Sequence, residues 1–244
     1  MAAQGGPKGP MEPGTTRLAA SGLTDRIRKA RRWLSQEAEA DLSTAAGRSR
    51  ALWQFELADH AFLRRLWTNT SEIAPGVFRS NQPDPARIAA LAAQGFATIV
   101  NLRGTRSTSF YLLEREACAA QGLTLIDHRL NSAVLPPRDE LLELCNTFVS
   151  AAKPMLIHCK SGADRTGLAA AIYLILICDA PVDVALRQLH WRYLHFSKGP
   201  RGVLDHMIHS YAKAQAASGI GLRDWIATAY DPAALTAEFR AGRG

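Results

Sequence analysis

The sequence predicts an α/β protein with a central, mostly parallel sheet of four to five strands flanked by helices, plus an extra helical segment at the N-terminus. Two observations support this. Short β-branched or apolar runs alternate with longer segments of helical periodicity from about residue 71. One such run, PMLIH at 154–158, leads directly into a glycine-containing loop and a long apolar segment. That order is typical of a strand, a loop and a helix in a parallel sheet.

Turn and capping residues delimit the elements in chain order. Asp84 can cap a helix that has Pro85 at its first position, and Gly95 ends it. Asp231 and Pro232 mark the start of the last helix in the same way. Strands are predicted at 76–80, 97–102, 123–130 and 154–158, and helices at 85–94, 111–121, 137–150, 166–178, 182–193, 203–217 and 222–229.

The chain of 244 residues fits one globular domain with appendages. Residues 1–20 are rich in glycine and proline and are expected to be disordered. A basic helical extension follows at 21–70, then the α/β domain at 71–217 and a helical tail at 218–244. Within the extension, 23–34 places five basic residues among apolar residues at helical spacing. This helix either meets an anionic membrane surface or lies solvated on the domain. A further apolar helix at 51–67 is expected to pack on the domain.

Composition narrows the class of protein. A net charge of +7 favours anionic partners such as phosphorylated substrates or lipid headgroups. The basic residues are not interleaved with aromatics in a recognition pattern, so no nucleic-acid partner is expected. There is no apolar signal segment at the N-terminus, and the longest apolar run, about 11 residues, is far short of the roughly 20 that span a bilayer. The expected location is the cytoplasm, with peripheral membrane contact as an option.

Cysteines and tryptophans are assigned mainly to packing. The four cysteines form no closely spaced pair, which argues against a structural zinc site, and a chain of this length needs no disulfide staples. Three of them are expected to be small core residues: Cys118, Cys145 and Cys178. All five tryptophans are expected to be packing anchors: Trp33, Trp53, Trp67, Trp191 and Trp225.

The segment HCKSGADRTG, residues 158–167, carries the chemistry. It lies between a predicted strand and helix, where ligands bind in open α/β sheets. A helix N-terminus offers unpaired N–H groups and a positive dipole, which suit phosphate. Gly162 lets successive N–H groups turn inward to form an anion-binding nest.

Residue types in this loop suit nucleophilic attack on phosphorus. A helix N-terminus and a nearby guanidinium lower the pKa of a thiol, so Cys159 is a candidate thiolate nucleophile. The planar fork of Arg165 matches two phosphoryl oxygens. Thr166 can place a hydroxyl near the sulfur, and His158 is expected to orient the loop.

These residues match the HCxxGxxR(S/T)G signature of the protein tyrosine phosphatase superfamily, in its dual-specificity-like branch of atypical bacterial type. Upstream, VFRSNQPDPARIAALAAQGFATIVNLRG is similar to the VYRSGQP…L…GIKTVINLR pattern of small phosphatases of that branch. The resemblance covers about residues 73–215. It implies a phosphate monoester hydrolase that works through a phosphocysteine intermediate in a Cys-x5-Arg loop, without a metal or another cofactor.

By this resemblance Cys159 is the nucleophile and Arg165 holds the phosphate. The loop backbone forms the phosphate cradle, so the expected substrate-binding residues are Lys160, Ser161, Gly162, Ala163 and Thr166. The general acid is open. Asp164 lies within the cradle, where some lipid-active members carry an aspartate. Asp127 has the usual spacing before the cysteine but falls in a predicted strand. Asp139 can reach the site only if the loop before it folds back.

The substrate is open as well. The leading expectation is a phosphatase of broad or dual specificity. Lys160 directly after the nucleophile resembles lipid-directed members of the superfamily, which makes a phosphoinositide or another phospholipid the alternative substrate. A phosphorylated protein is the other candidate. Arg103 and Arg106 either extend the positive field at the rim or, for Arg103, form a structural hydrogen bond within the domain. An inactive phosphate-binding module is the alternative outside enzymes, although the cysteine, arginine and threonine are all present.

Overall fold

The structure is a computed structural model that describes residue 2 and residues 39–242. The basic helix predicted at 23–34 and nearly all of the tail predicted at 1–20 lie outside the described residues. So do Trp33 and the last two residues of the C-terminal tail.

A five-stranded sheet forms the centre, which confirms the predicted fold class. Its strands are β1 Ser71–Ala74, β2 Val77–Asn81, β3 Thr98–Asn101, β4 Thr124–Asp127 and β5 Met155–Cys159. The spatial order is β1-β2-β5-β3-β4, and only β1 is antiparallel to its neighbour. All five residues of β5 are buried between two parallel neighbours, so the strand that leads into the candidate loop is the middle of the sheet.

Ten α-helices surround the sheet within the described part of the chain. They are α1 Ala45–Leu57, α2 Ala61–Leu66, α3 Pro85–Ala93, α4 Ser109–Ala120, α5 Arg138–Ser150, α6 Asp164–Cys178, α7 Val182–Leu186, α8 Val203–Ser218, α9 Leu222–Thr228 and α10 Pro232–Ala241. The predicted caps hold: Asp84 accepts from the Arg87 N–H, and Asp231 accepts from two N–H groups of α10. None of these helices is long and apolar enough to cross a membrane.

Alternation along β5 assigns its residues to the two faces of the sheet. Met155, Ile157 and Cys159 belong to the large apolar cluster around α6, whereas Leu156 belongs to the smaller cluster under α3 and α4. His158 therefore faces α4, and Cys159 faces α6. Neighbouring residues of one strand thus meet different surroundings.

Two predicted helices are shorter than the sequence pattern indicates. The helix predicted at 51–67 is interrupted at Asp59 and His60, because Asp59 turns inward to buried arginines and His60 has a φ of +58°. The helix predicted at 182–193 ends at Leu186. There the Gln188 carbonyl accepts a hydrogen bond from Arg79 across the fold, and a separate 3-10 turn follows at Trp191–Tyr193.

Several packing predictions are wrong. Cys178 is exposed at the end of α6, whereas Cys118 and Cys145 are buried as expected. Trp225 is a core residue. Three other tryptophans, by contrast, are more than half exposed: Trp53, Trp67 and Trp191.

Candidate active site

The candidate loop joins the end of β5 at Cys159 to the start of α6 at Asp164. In the parallel ladder Cys159 lies opposite Asn81 of β2, and His158 lies opposite Asn101 of β3. The loop thus stands at the carboxyl edge of the three central strands, which is where ligands bind in such sheets.

Three carbonyls of the loop point away from its centre. The Lys160 carbonyl accepts from the Gln82 N–H, and the Ser161 carbonyl accepts from the Asn69 side chain at 3.0 Å. The Gly162 carbonyl accepts from Arg79 at 2.6 Å. Because each planar trans peptide directs its N–H opposite to its carbonyl, the N–H groups that follow point into the loop. Such an arrangement of N–H groups can bind an anion.

Gly162 is required where the loop meets β2. Its φ is +71°, and a Cβ atom at this position would lie 2.7 Å from backbone atoms of Ser80 and Asn81. Any side chain would therefore push the loop off the strand.

Arg79 is a fully buried cation beneath the loop, and the sequence reasoning assigned it no role. Besides the Gly162 carbonyl, its guanidinium donates to Gln188 and stacks 3.6 Å from the centre of the Tyr193 ring. Burial lowers the pKa of Arg79 to about 10, although the phenol of Tyr193 and the thiol of Cys159 act in the opposite direction. The signal in the sequence is a lone arginine within a buried strand.

The nucleophile candidate is a buried thiol with a lowered pKa. Burial by itself would raise the pKa of Cys159, but the Arg165 charge and hydrogen bonds from Thr166 and the Gly162 N–H bring it below its ordinary value. The Thr166 hydroxyl is fully buried and has no other hydrogen-bond partner among residues 39–242. The Nε of Arg165 is also buried and has no hydrogen-bond partner among the same residues. The structure therefore brings Cys159, Arg165 and Thr166 together.

His158 faces a separate polar chain on the other side of the sheet. Its Nε2 lies 2.6 Å from Oε1 of Glu114 on α4, and both side chains are buried. The other oxygen of Glu114 accepts from Gln82 at 2.8 Å, and Gln82 accepts in turn from Arg103. His158 thus lies against a buried carboxylate, and its orienting role stays a prediction.

Lys160 extends toward the N-terminal helices. Its Nζ lies 3.6 Å from Oδ1 of Asp59, and a quarter of its side chain is exposed. Asp59 also accepts from Arg103 at 2.9 and 3.0 Å and pairs with Arg64 at 2.7 Å. Burial lowers the pKa of Lys160 in spite of this carboxylate.

Arg103 belongs to the interior. It is buried, and its guanidinium lies 3.4 Å from the centre of the Phe110 ring. The structural reading of Arg103 therefore fits better than the rim reading. Arg106 is half-buried after β3.

Asp164 is held by two cations. Its Oδ1 lies 2.9 Å from Nδ1 of His195, and its Oδ2 lies 3.2 Å from Nε of Arg201. The other nitrogen of His195 lies 2.7 Å from Asp205. Burial would lower the pKa of His195, but its bonds to the two carboxylates raise it to about 9. Because both oxygens of Asp164 are engaged, these contacts favour a structural ion pair over the acid role.

Asp127, the second acid candidate, lies apart from the loop. Asp127 ends β4, two strands or about 10 Å across the sheet from β5. Its oxygens accept from Asn101 and from the Tyr111 hydroxyl. Asp139 is exposed in the first turn of α5. Over the described part of the chain there is no group of three or more histidine, cysteine or acidic side chains that could hold a metal ion.

The solved structure of TpbA agrees with the fold. TpbA of P. aeruginosa matches with a TM-score of 0.50 at 21% identity, over 66% of this chain and 92% of that chain. The core catalytic domain of the PP-IP phosphatase SIW14 of S. cerevisiae matches with a TM-score of 0.47 at 18% identity, over 62% and 92%. Among curated proteins, none matches the chain.

A family model matches residues 60–193, more than half of the chain. Its description is a DSP-PTPase phosphatase fused to NAD+ kinase. The match contains β1 to β5 and the whole candidate loop. The chain therefore belongs to this family of dual-specificity-type phosphatases and is a cysteine-dependent phosphatase.

Proposed function

We propose that the chain hydrolyses phosphate monoesters in two steps, with Cys159 as the nucleophile and Arg165 as the phosphate clamp. The observation that carries this proposal is the lowered pKa of a buried thiol beside a guanidinium and a nest of N–H groups. A buried thiol without such neighbours has a raised pKa, as Cys118 and Cys145 do. The difference supports a thiolate built for attack.

In the first step the Cys159 sulfur attacks phosphorus, and the bond from phosphorus to the ester oxygen breaks. The alcohol or phenol leaves with that electron pair and takes up a proton. The inward N–H groups of 161–163 and the guanidinium of Arg165 face the phosphoryl oxygens and stabilise the charge that spreads over them.

In the second step water attacks the phosphocysteine, and the phosphorus–sulfur bond breaks. The thiolate is the leaving group, and phosphate is released. The Thr166 hydroxyl and the Gly162 N–H, which lower the pKa of Cys159, stabilise the sulfur in that step as well.

An aryl phosphate with a coloured phenol tests these roles. Cys159→Ser should abolish turnover and keep inorganic phosphate binding, because the nest and Arg165 remain. Arg165→Lys should lose both turnover and phosphate affinity, since an ammonium cannot replace the planar fork. Full activity of Cys159→Ser would rule out the covalent route.

For the substrate, we propose a phosphorylated lipid headgroup ahead of a phosphoprotein. Lys160 adds a second positive charge beside the nucleophile, in a chain that is already strongly basic. Its pairing with Asp59 moderates this charge without removing it. A phosphoprotein remains the second candidate, since a TpbA variant was crystallised in complex with pTyr.

Turnover of a phosphotyrosine peptide, a phosphoinositide and phosphatidylglycerophosphate should be compared directly. Lys160→Met should lower kcat/KM more for the lipid headgroups than for the peptide, because it removes the second charge and keeps most of the side-chain volume. Hydrolysis of the peptide alone would contradict the lipid proposal. Phosphate binding without turnover of any ester would indicate an inactive module.

A further inference from the structure

Exposed large apolar side chains are concentrated in two stretches of the described chain. Residues 52–67 and 191–196 contain ten of the thirteen such side chains in residues 39–242. We name these ten the apolar rim: Leu52, Trp53, Leu57, Phe62, Leu63, Leu66, Trp67, Trp191, Leu194 and Phe196. The concentration is unlike the scattered single apolar residues of an ordinary protein surface.

The two stretches of the rim meet beside the candidate loop. Leu63, Trp67 and Leu194 line one pocket of about 220 Å³ together with Lys160 and Ser161. Lys160 directly follows Cys159 in the chain. Leu63, Trp67 and Leu194 therefore bring the two stretches of the rim together next to the candidate loop.

One flank of the rim, residues 187–201, contains three arginines and one lysine and no acidic residue. Arg187 and Arg201 pair with Asp183 and Asp164, and Arg192 is exposed. In the other stretch Glu56 pairs with Arg65, and Asp59 is buried against Arg103. Acidic charge in that stretch is thus neutralised or enclosed.

We propose that the apolar rim docks on the surface of an anionic phospholipid bilayer and so places the loop at headgroup depth. Three rim residues are tryptophans, which favour the boundary between acyl chains and water. Leu66, 85% exposed, can enter that boundary without rearrangement. Basic residues beside an apolar face add attraction to anionic headgroups.

This charge pattern favours a bilayer over a second copy of the chain, because the basic flank of one copy would meet the same charge on another. This docking proposal extends the proposed function, because docking serves catalysis only if the substrate is a lipid headgroup. Binding itself does not require Cys159. Residues 23–34 are unchanged in all the variants compared below, so differences between these variants come from the substituted residues.

Co-sedimentation with vesicles of phosphatidylcholine, with and without phosphatidylserine, tests the proposal on the full chain. The wild type should bind the vesicles that contain phosphatidylserine. Leu66→Glu and Trp191→Glu should each weaken binding about tenfold or more, from the loss of one buried apolar side chain. The matched control is Val149→Glu on α5, at a residue that is 70% exposed and outside the rim; it should bind like the wild type.

Each other outcome overturns the proposal. The wild type could bind neither kind of vesicle, or the rim variants could bind like the control. The wild type could also sediment as a dimer that Leu66→Glu dissociates. Turnover of a small aryl phosphate by the same samples separates this proposal from the proposed function. Rim variants should hydrolyse the aryl phosphate as the wild type does. If the wild type binds vesicles but does not hydrolyse the aryl phosphate, the phosphatase mechanism is refuted and the docking proposal is not.

Discussion

Nδ1 of His195 lies 2.9 Å from Oδ1 of Asp164, the first residue of α6, and Nε2 of the same ring lies 2.7 Å from Asp205 of α8. The imidazolium thus ties the start of the loop-bearing helix to Asp205, 41 positions further along the chain. The charge on this ring is the structural reason for the first two predictions.

Stability should fall at alkaline pH because of His195. Its pKa is about 9 in the folded protein and near the ordinary 6.5 when unfolded. The extra stability is therefore complete below about pH 6.5 and is lost as the pH rises through 9. By linkage the loss is about 3 kcal/mol as an upper figure. Urea unfolding across this range should show the decline, and His195→Gln should flatten it.

The control for this titration is His209→Gln, because His209 is exposed on α8. It should retain the decline of the wild type. An equal decline in His195→Gln would show that another group is responsible.

Asp164→Asn distinguishes positioning from acid catalysis. We expect similar losses of kcat for aryl phosphates with good and with poor leaving groups, because the substitution weakens the bonds to His195 and Arg201 instead of removing a proton donor. A loss confined to poor leaving groups would instead identify Asp164 as the acid. Asp127→Asn and Asp139→Asn, measured with the same two substrates, complete the comparison of candidates.

Reactivity of the Cys159 thiol should persist to lower pH than that of an ordinary thiol, because its pKa is lowered. Burial raises the pKa of this thiol, but the Arg165 charge and the loop hydrogen bonds lower it by more. Of the effects that lower this pKa, the Arg165 charge is the largest. Alkylation by iodoacetamide, measured in a Cys178→Ser background to remove the exposed thiol, should show this low midpoint. Arg165→Met should move the midpoint upward. An unchanged midpoint would mean that the guanidinium does not act on the sulfur.

Asp59→Asn should destabilise the protein by about 3–5 kcal/mol, the range for removing one partner of a buried ion pair. It leaves Arg103 and Arg64 buried without their carboxylate. Chemical unfolding measures the loss. Glu116→Gln serves as the control, since the pair of Glu116 and Arg48 is exposed, and its stability should stay near that of the wild type. Equal stability of Asp59→Asn and the control would contradict the account of this cluster.

Local patterns predicted most of the fold. Neighbouring residues were enough to predict the helix caps at Asp84 and Asp231, the β-branched strand β3 and the apolar helix α6. The structure contains all of them. The loop was predictable because its chemistry lies within ten consecutive residues. The predicted helix lengths are wrong at Asp59 and Gln188. Each of these residues bonds to an arginine far along the chain, and that contact ends the helix in spite of the apolar periodicity.

The supports of the loop were not predictable for the same reason. Arg79 reaches Gly162 over 83 positions, and Glu114 reaches His158 over 44. A lone buried charge indicates that a partner exists, but the sequence does not identify it. The exposed tryptophans were misjudged because an aromatic residue at helical spacing has the same pattern in a core and on a binding surface.

The central claim is a covalent bond between phosphorus and the sulfur of Cys159. Rapid acid quench of the enzyme during turnover of an aryl phosphate, followed by mass spectrometry of its peptides, tests it directly. The account predicts a phosphoryl group on the peptide that contains Cys159, absent in Cys159→Ser and longer-lived in Thr166→Val. Rapid turnover with that peptide never phosphorylated would contradict it.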